Sequence, residues 1–214
     1  MSRKLLACVA LVLAGCRVQE VELTDGERAL AATVGMPEAL LLDIKKTGRH
    51  LRQIETRDAD GNPAKGAGVT IDVSHEEALA VVRRLRNSVP PGHYAFVSER
   101  HFGLGGDPDQ VSVMKAADPY EILRAMGTNG WNYDLSPEMV IARLKEWDSR
   151  FGLEFRGIAF DWVEAEFKKQ PRDMLAFAKE VYEFCPDVVD QGAETVGALA
   201  QEMKSSNVLY LWWD

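Results

Sequence analysis

From residue 24 onward the hydrophobic positions switch repeatedly between a spacing of three to four residues and strict alternation. Thr24-Asp-Gly-Glu27 has the capping-box pattern and predicts a helix running to about Val34. Gly35-Met-Pro37 interrupts it, and residues 38–46 read as a second, short helix ending at Gly48. The period then changes. Residues 51–56 and 68–73 alternate as strands, and Asp58-Ala-Asp-Gly-Asn-Pro63 between them is dense in turn formers, so a looped strand pair is predicted. Ser74-His-Glu-Glu77 is another capping box, and Ala78, Val82, Leu85 and Val89 give the following helix one apolar face before Pro90-Pro-Gly92 stops it.

Residues 94–98 and 111–114 read as the next strands, separated by a glycine-rich loop. Asp118-Pro119 and Ser136-Pro137 each supply an N-cap followed by proline at the first helical position. They open helices to about Thr128 and Arg150, the second with Val140, Leu144, Trp147 and Phe151 on one stripe. Residues 153–163 read as a single strand, apolar on both faces around Ile158, Phe160 and Trp162. Pro171 begins a helix that Pro186 ends, and residues 195–204 give a last helix. Val208-Leu-Tyr-Leu-Trp-Trp213 is apolar on both alternating sets, which predicts a central strand. Strands interleaved with helices predict an α/β or α+β fold: a single domain with a mixed β-sheet covered by helices and the C-terminal strand central.

Residues 1–16 follow a different pattern. Arg3 and Lys4 precede an apolar run, and Leu13-Ala14-Gly15-Cys16 closes it, a segment too short to span a bilayer. The ending resembles the lipobox of bacterial lipoproteins. That resemblance implies cleavage before Cys16 and lipid attachment to it, and Arg17, in place of a retention aspartate, implies an outer-membrane address facing the periplasm. A plain secretory peptide is the other reading. The expected organisation is a signal peptide at 1–15, a lipidated tether at 16–24, N-terminal helices and first strand at 25–67, and a domain at 68–214 forming one globular unit with them. Of three cysteines, Cys8 then leaves with the peptide and Cys16 carries lipid, so no disulfide framework is expected. Cys185 shares a helical stripe with Met174, Ala178 and Val181, which predicts a buried thiol.

Composition narrows the partners. Hydrophobic residues make up 46% and charged residues 27%, as in a globular domain. The chain has 33 acidic against 25 basic residues and a formal charge of −8, and without Arg3 and Lys4 about −10. Such a balance excludes nucleic acid, which needs a Lys/Arg footprint, and suits a basic protein partner alongside membrane attachment through Cys16. Metal-ligand spacing such as His-x-x-x-His is absent, so no metal and no cofactor are expected. Asp58-Ala-Asp-Gly-Asn62 lacks the later ligands of a calcium loop, and Gly103-Leu-Gly-Gly106 lacks the lysine of a phosphate loop.

Two constellations remain. Cys185 with His50, His75, His93 or His101 would make a nucleophile and base, although none stands in a catalytic motif. Asp161, Glu164, Asp187, Asp190 and Asp214 lie at predicted element ends, where they would form a carboxylate rim with Trp162 and Trp213. Asp161, Glu164, Cys185 and Asp187 are the catalytic candidates; Trp162, Asp190, Trp213 and Asp214 are the binding candidates. The competing reading is structural, with Asp187 and Asp190 ordering a turn and Asp161 capping locally.

Asp118-Pro-Tyr-Glu-Ile-Leu-Arg124, Gly127-Thr-Asn-Gly-Trp-Asn-Tyr133, Phe160-Asp-Trp-Val-Glu164, Phe184-Cys-Pro-Asp-Val-Val-Asp-Gln-Gly192 and Leu209-Tyr-Leu-Trp-Trp-Asp214 together resemble one bacterial family, the domain of unknown function numbered 4253. The resemblance is strong over 110–214 and weaker over 68–109. It implies no activity and no catalytic residue. The expected function is a lipid-anchored, periplasm-facing binding protein, such as an immunity or inhibitor protein against a basic effector directed at the envelope. An envelope hydrolase using the carboxylates near Asp161 and Asp187, and a structural envelope lipoprotein, are the alternatives.

Overall fold

Thr24 forms the capping box that its spacing predicts: its Oγ1 accepts from the Glu27 N–H at 3.2 Å, and Glu27 Oε2 accepts from the Thr24 N–H at 2.7 Å. This starts α1 (Asp25–Val34), the first element of a computed structural model that describes residues 21–58, 60–101 and 104–214. The signal peptide, Cys16 and the tether as far as residue 20 lie outside the described residues. Next come α2 (Glu38–Lys45), β1 (Arg49–Arg57) and β2 (Pro63–Val73), the strands paired antiparallel. Asp58 orders their turn by accepting from the N–H groups of Asp60 and Asn62 at 2.9 and 2.8 Å. At α3 (His75–Ser88) the second capping box does not form, because Ser74 Oγ donates to Glu77 Oε2 at 2.6 Å and the two box side chains satisfy each other.

The remaining elements are β3 (His93–Glu99), β4 (Asp109–Lys115), α4 (Pro119–Met126), α5 (Pro137–Phe151), β5 (Leu153–Ile158), β6 (Trp162–Phe167), α6 (Met174–Phe184), a π-helical segment (Val188–Ala193), α7 (Val196–Ser206) and β7 (Val208–Trp212). The strands form one mixed seven-stranded sheet in the order β1-β2-β4-β3-β5-β6-β7, an α+β fold. Neighbours are antiparallel except β3 and β5, which meet in parallel at Val97 and Gly157. β2 runs through residue 68, so the segments before and after it share the sheet. One core, containing Leu41, Ile44, Ile71, Leu85 and Val97, packs α1 to α3 on one face. The other, with Leu144, Trp147, Phe177 and Leu209, packs α4 to α7 on the opposite face. No helix among the described residues is long and apolar enough to cross a membrane.

Two expectations are corrected. The single strand expected over 153–163 is a hairpin, β5 and β6, closed by the Ala159 N–H donating to Trp162 O at 2.9 Å. Its window looked apolar on both sides because it straddles two half-buried strands: Val163 and Ala165 face the α4–α7 core while Trp162 faces the other. The second correction concerns β7, which is an edge strand and not a central one. Its double apolar pattern has another cause. Leu209 and Leu211 are buried on the α6/α7 side, while Tyr210 and Trp212 pack against the second core, the Tyr210 ring lying 6.1 Å from that of Trp162.

Candidate functional site

Parts of the segments quoted for the family resemblance meet at one corner of the sheet, at the β5–β6 turn and residues 213 and 214. After α4 the backbone turns at Gly127 (φ 67°), and a Cβ there would stand 2.8 Å from Arg57 Cγ. Thr128 Oγ1 then donates to Ala159 O at 2.6 Å and the Asn129 N–H donates to Phe160 O at 2.9 Å, stitching this loop to the hairpin. Gly130 lies so close to the Trp213 ring that a Cβ would come within 2.8 Å of its Cδ1. Glycine permits that contact. Residues 131–133 make a single tight turn beyond it, with the Trp131 side chain 82% exposed and Tyr133 also reaching the surface.

Asp187 organises the underside. Its carboxylate accepts from the Tyr133 hydroxyl, from Gln191 Nε2 at 3.0 Å and from the Asp214 N–H at 3.0 Å, and the residue is 3% exposed. Burial pushes its pKa up, but these three donors outweigh burial and hold it below the ordinary carboxylate value. Asp161 behaves oppositely. The protein around it disfavours the charge and the nearby Asp214 adds like-charge repulsion, so its pKa is raised, although part of its surface stays open to solvent. The Asp161 carbonyl also accepts from the Trp213 N–H at 2.9 Å. Phe160 at the hairpin tip is 41% exposed, with the Arg57 guanidinium 4.3 Å from its ring centre.

The structure therefore brings together Asp161, Asp187, Trp213 and Asp214, and it separates the others. Exposed Asp190 accepts from the Tyr182 hydroxyl at 3.0 Å in the π-helical segment. Glu164 points to the other face of the sheet. There it is clamped by Arg100, at 2.6 Å, and by Arg156, which also pairs with Glu166 at 2.6 Å. Trp162 is 5% exposed beneath Arg100, and Trp213 is 3% exposed, so neither presents an open ring. Among the described residues, the accessible aromatics are Trp131, Tyr133 and Phe160. Sequence reasoning missed Trp131 and Tyr133 as site residues; the one signal for them is a glycine- and asparagine-containing loop outside every apolar stripe.

Cys185 is buried, and its Sγ donates to Trp212 O at 3.0 Å. Burial pushes the thiol up to about 12. No histidine among the described residues hydrogen-bonds it: His50 contacts Asp72 at 2.7 Å, His75 contacts Asp109 at 2.9 Å, and His101 contacts the Pro108 carbonyl at 2.9 Å. Both ring nitrogens of His93 are buried and without hydrogen-bond partners among the described residues. Among the described residues no group of three or more His, Cys, Asp or Glu is placed to hold a metal ion.

Fold and site thus define an α+β domain with an acidic and aromatic corner, one that can receive cations on ring faces and carboxylates. Residues 110–214, which supply most of this corner, match the family described as "Domain of unknown function (DUF4253)", and the match supports the place of this segment in that family. No curated protein and no solved structure matches the chain.

Proposed function

We propose that this is a lipid-anchored, periplasm-facing binding protein of the outer membrane whose corner engages a basic protein partner, in the manner of an immunity or inhibitor protein. One observation carries the reading. An 82%-exposed Trp131 stands on a loop tied to the hairpin that bears Asp161, and Asp161 and Asp214 repel each other with no cation among the groups that shift Asp161. An exposed aromatic on a loop tied to the hairpin of the exposed Asp161 suits arginine and lysine side chains, which stack on rings and pair with acids. The net charge of −8 favours encounter with a basic protein, and the lipobox ending at Cys16 supplies the anchor.

Hydrolysis has less support. The Asp187 oxygens are taken by three donors, Glu164 lies between two arginines, and the Cys185 thiol is buried. The test has two arms. Labelled palmitate should enter the wild-type chain and not Cys16→Ala. Detergent-extracted full-length protein should retain a stoichiometric basic partner from envelope extract, and the double variant Trp131→Ala/Asp161→Asn should release it. Retention by that variant would remove the corner from the proposal, and a wild type that retains nothing would favour a structural envelope lipoprotein.

A further inference from the structure

Phe160 also lines a cavity of about 350 Å³ on the sheet face formed by β1, β2, β3 and β4. Its floor is unusual for a sheet interior. The opposite face of these strands is closed by Val69, Ile71, Val97, Val111 and Val113, whereas this face carries Thr70, Ser98 and Ser112, all buried. Their hydroxyls form a chain: Ser98 Oγ to Ser112 Oγ at 2.6 Å, Ser112 Oγ donating to Thr70 Oγ1 at 2.8 Å, and Thr70 Oγ1 donating to Val111 O at 3.3 Å. Thr70 gives its one proton to Val111 O and Ser112 gives its own to Thr70, so the Ser98 proton goes to Ser112 or to Gln110 O, 3.4 Å away. The Ser98 oxygen is thereby left as the acceptor at the end of the chain, on a residue that lines the cavity.

The charged groups around the cavity are already matched in part. Arg52 pairs with Asp72 at 2.7 Å and Lys65 pairs with Glu55 at 2.9 Å. Two charges are left over. Arg57 stacks on Phe160 and donates to Gly61 O at 3.3 Å, while Glu99 accepts from the Arg100 N–H at 3.3 Å; neither has an opposite-charge partner at ion-pair distance among the described residues. An anion alone would face Glu99, and a cation alone would face Arg57. A ligand with both charges satisfies both.

We propose that this cavity binds a small zwitterion of the free α-amino acid class, its carboxylate on Arg57 and its ammonium on Glu99 and the Ser98 oxygen. The volume is at the small end of the range for small-molecule sites, which fits a free amino acid and not a peptide. Partial desolvation raises the Glu99 carboxyl although the residue stays open to solvent; the Arg100 N–H and His101 act against this and Asp161 and Asp109 add to it, so an ammonium there would favour its charged form. The cavity shares Phe160 with the corner but needs no protein partner.

The test is calorimetric titration of the detergent-extracted full-length protein with each of the proteinogenic amino acids, up to about 10 mM so that millimolar affinity is seen. At least one should bind saturably. Arg57→Gln and Glu99→Gln should each weaken that binding about tenfold or more, and so should replacing the amino acid by its decarboxylated amine or its deaminated acid. No saturable heat from any amino acid overturns the proposal, as does retained affinity in either variant or equal binding of a trimmed analogue. The analogue comparison uses the wild-type chain, so it decides the matter even if a variant fails to fold.

Discussion

Replacing Asp187 by alanine removes the acceptor that ties three parts of the corner together. The Tyr133 hydroxyl, Gln191 Nε2 and the Asp214 N–H all lose their partner at a residue only 3% exposed. Taking about 1 kcal/mol for each bond, since the partly exposed Tyr133 and Gln191 regain water, gives a loss of about 3 kcal/mol. In a chain of this size that is a fall in Tm of about 6–12 °C. Asp187→Asn should lose less, about 1–2 kcal/mol, because its remaining oxygen still accepts while its amide meets the Asp214 N–H. Urea unfolding followed by tryptophan fluorescence at pH 7 measures both. The pH dependence gives a second check on the same group. The folded-state pKa of Asp187 is depressed below its ordinary 3.8, so the stability it contributes is present above that value and is lost as pH falls through the folded pKa. The gap between wild type and Asp187→Ala should therefore hold steady above about pH 5 and narrow in acid. A loss under about 1 kcal/mol at pH 7, or a gap unchanged in acid, would refute the view that this carboxylate holds the corner.

Two further outcomes are expected. Deleting residues 209–214 should abolish the cooperative thermal transition seen by circular dichroism, because Leu209, Leu211 and Trp213 sit in the core although β7 is an edge strand; a cooperative melt would contradict this. The Cys185 peptide should remain unalkylated by iodoacetamide at pH 8 in the folded protein and become labelled in urea, since a buried thiol pushed up to about 12 holds almost no thiolate; mass spectrometry that finds rapid native labelling would show an open site.

The elements with local signals were legible in the sequence. The Thr24 capping box, the proline-led starts of α4 and α5 and the burial of the Cys185 stripe follow from contacts within a few residues. What failed depended on position in the sheet. Strand β7 reads as central because helices on one side and the Trp162–Tyr210 pair on the other hide both of its faces, and burial alone cannot distinguish a covered edge from a middle strand. The β5–β6 turn was missed because Phe160-Asp161 lacks the usual glycine or asparagine. At the site, the convergence of Asp161, Asp187 and Asp214 was legible as a set of element ends. The separation of Glu164 was not, since it rests on the face that β6 turns toward Arg100 and Arg156. Nor was the exposure of Trp131, which depends on the Gly130 contact with Trp213 from the far end of the chain.

Site-specific photo-crosslinking in living cells tests the central claim most directly. A benzoylphenylalanine placed at Trp131 should capture one basic protein in the envelope, while the same probe at Arg84, exposed on α3 across the sheet, should capture none. Equal adducts at the two positions, or no adduct at Trp131, would contradict the assignment of this corner as the recognition surface.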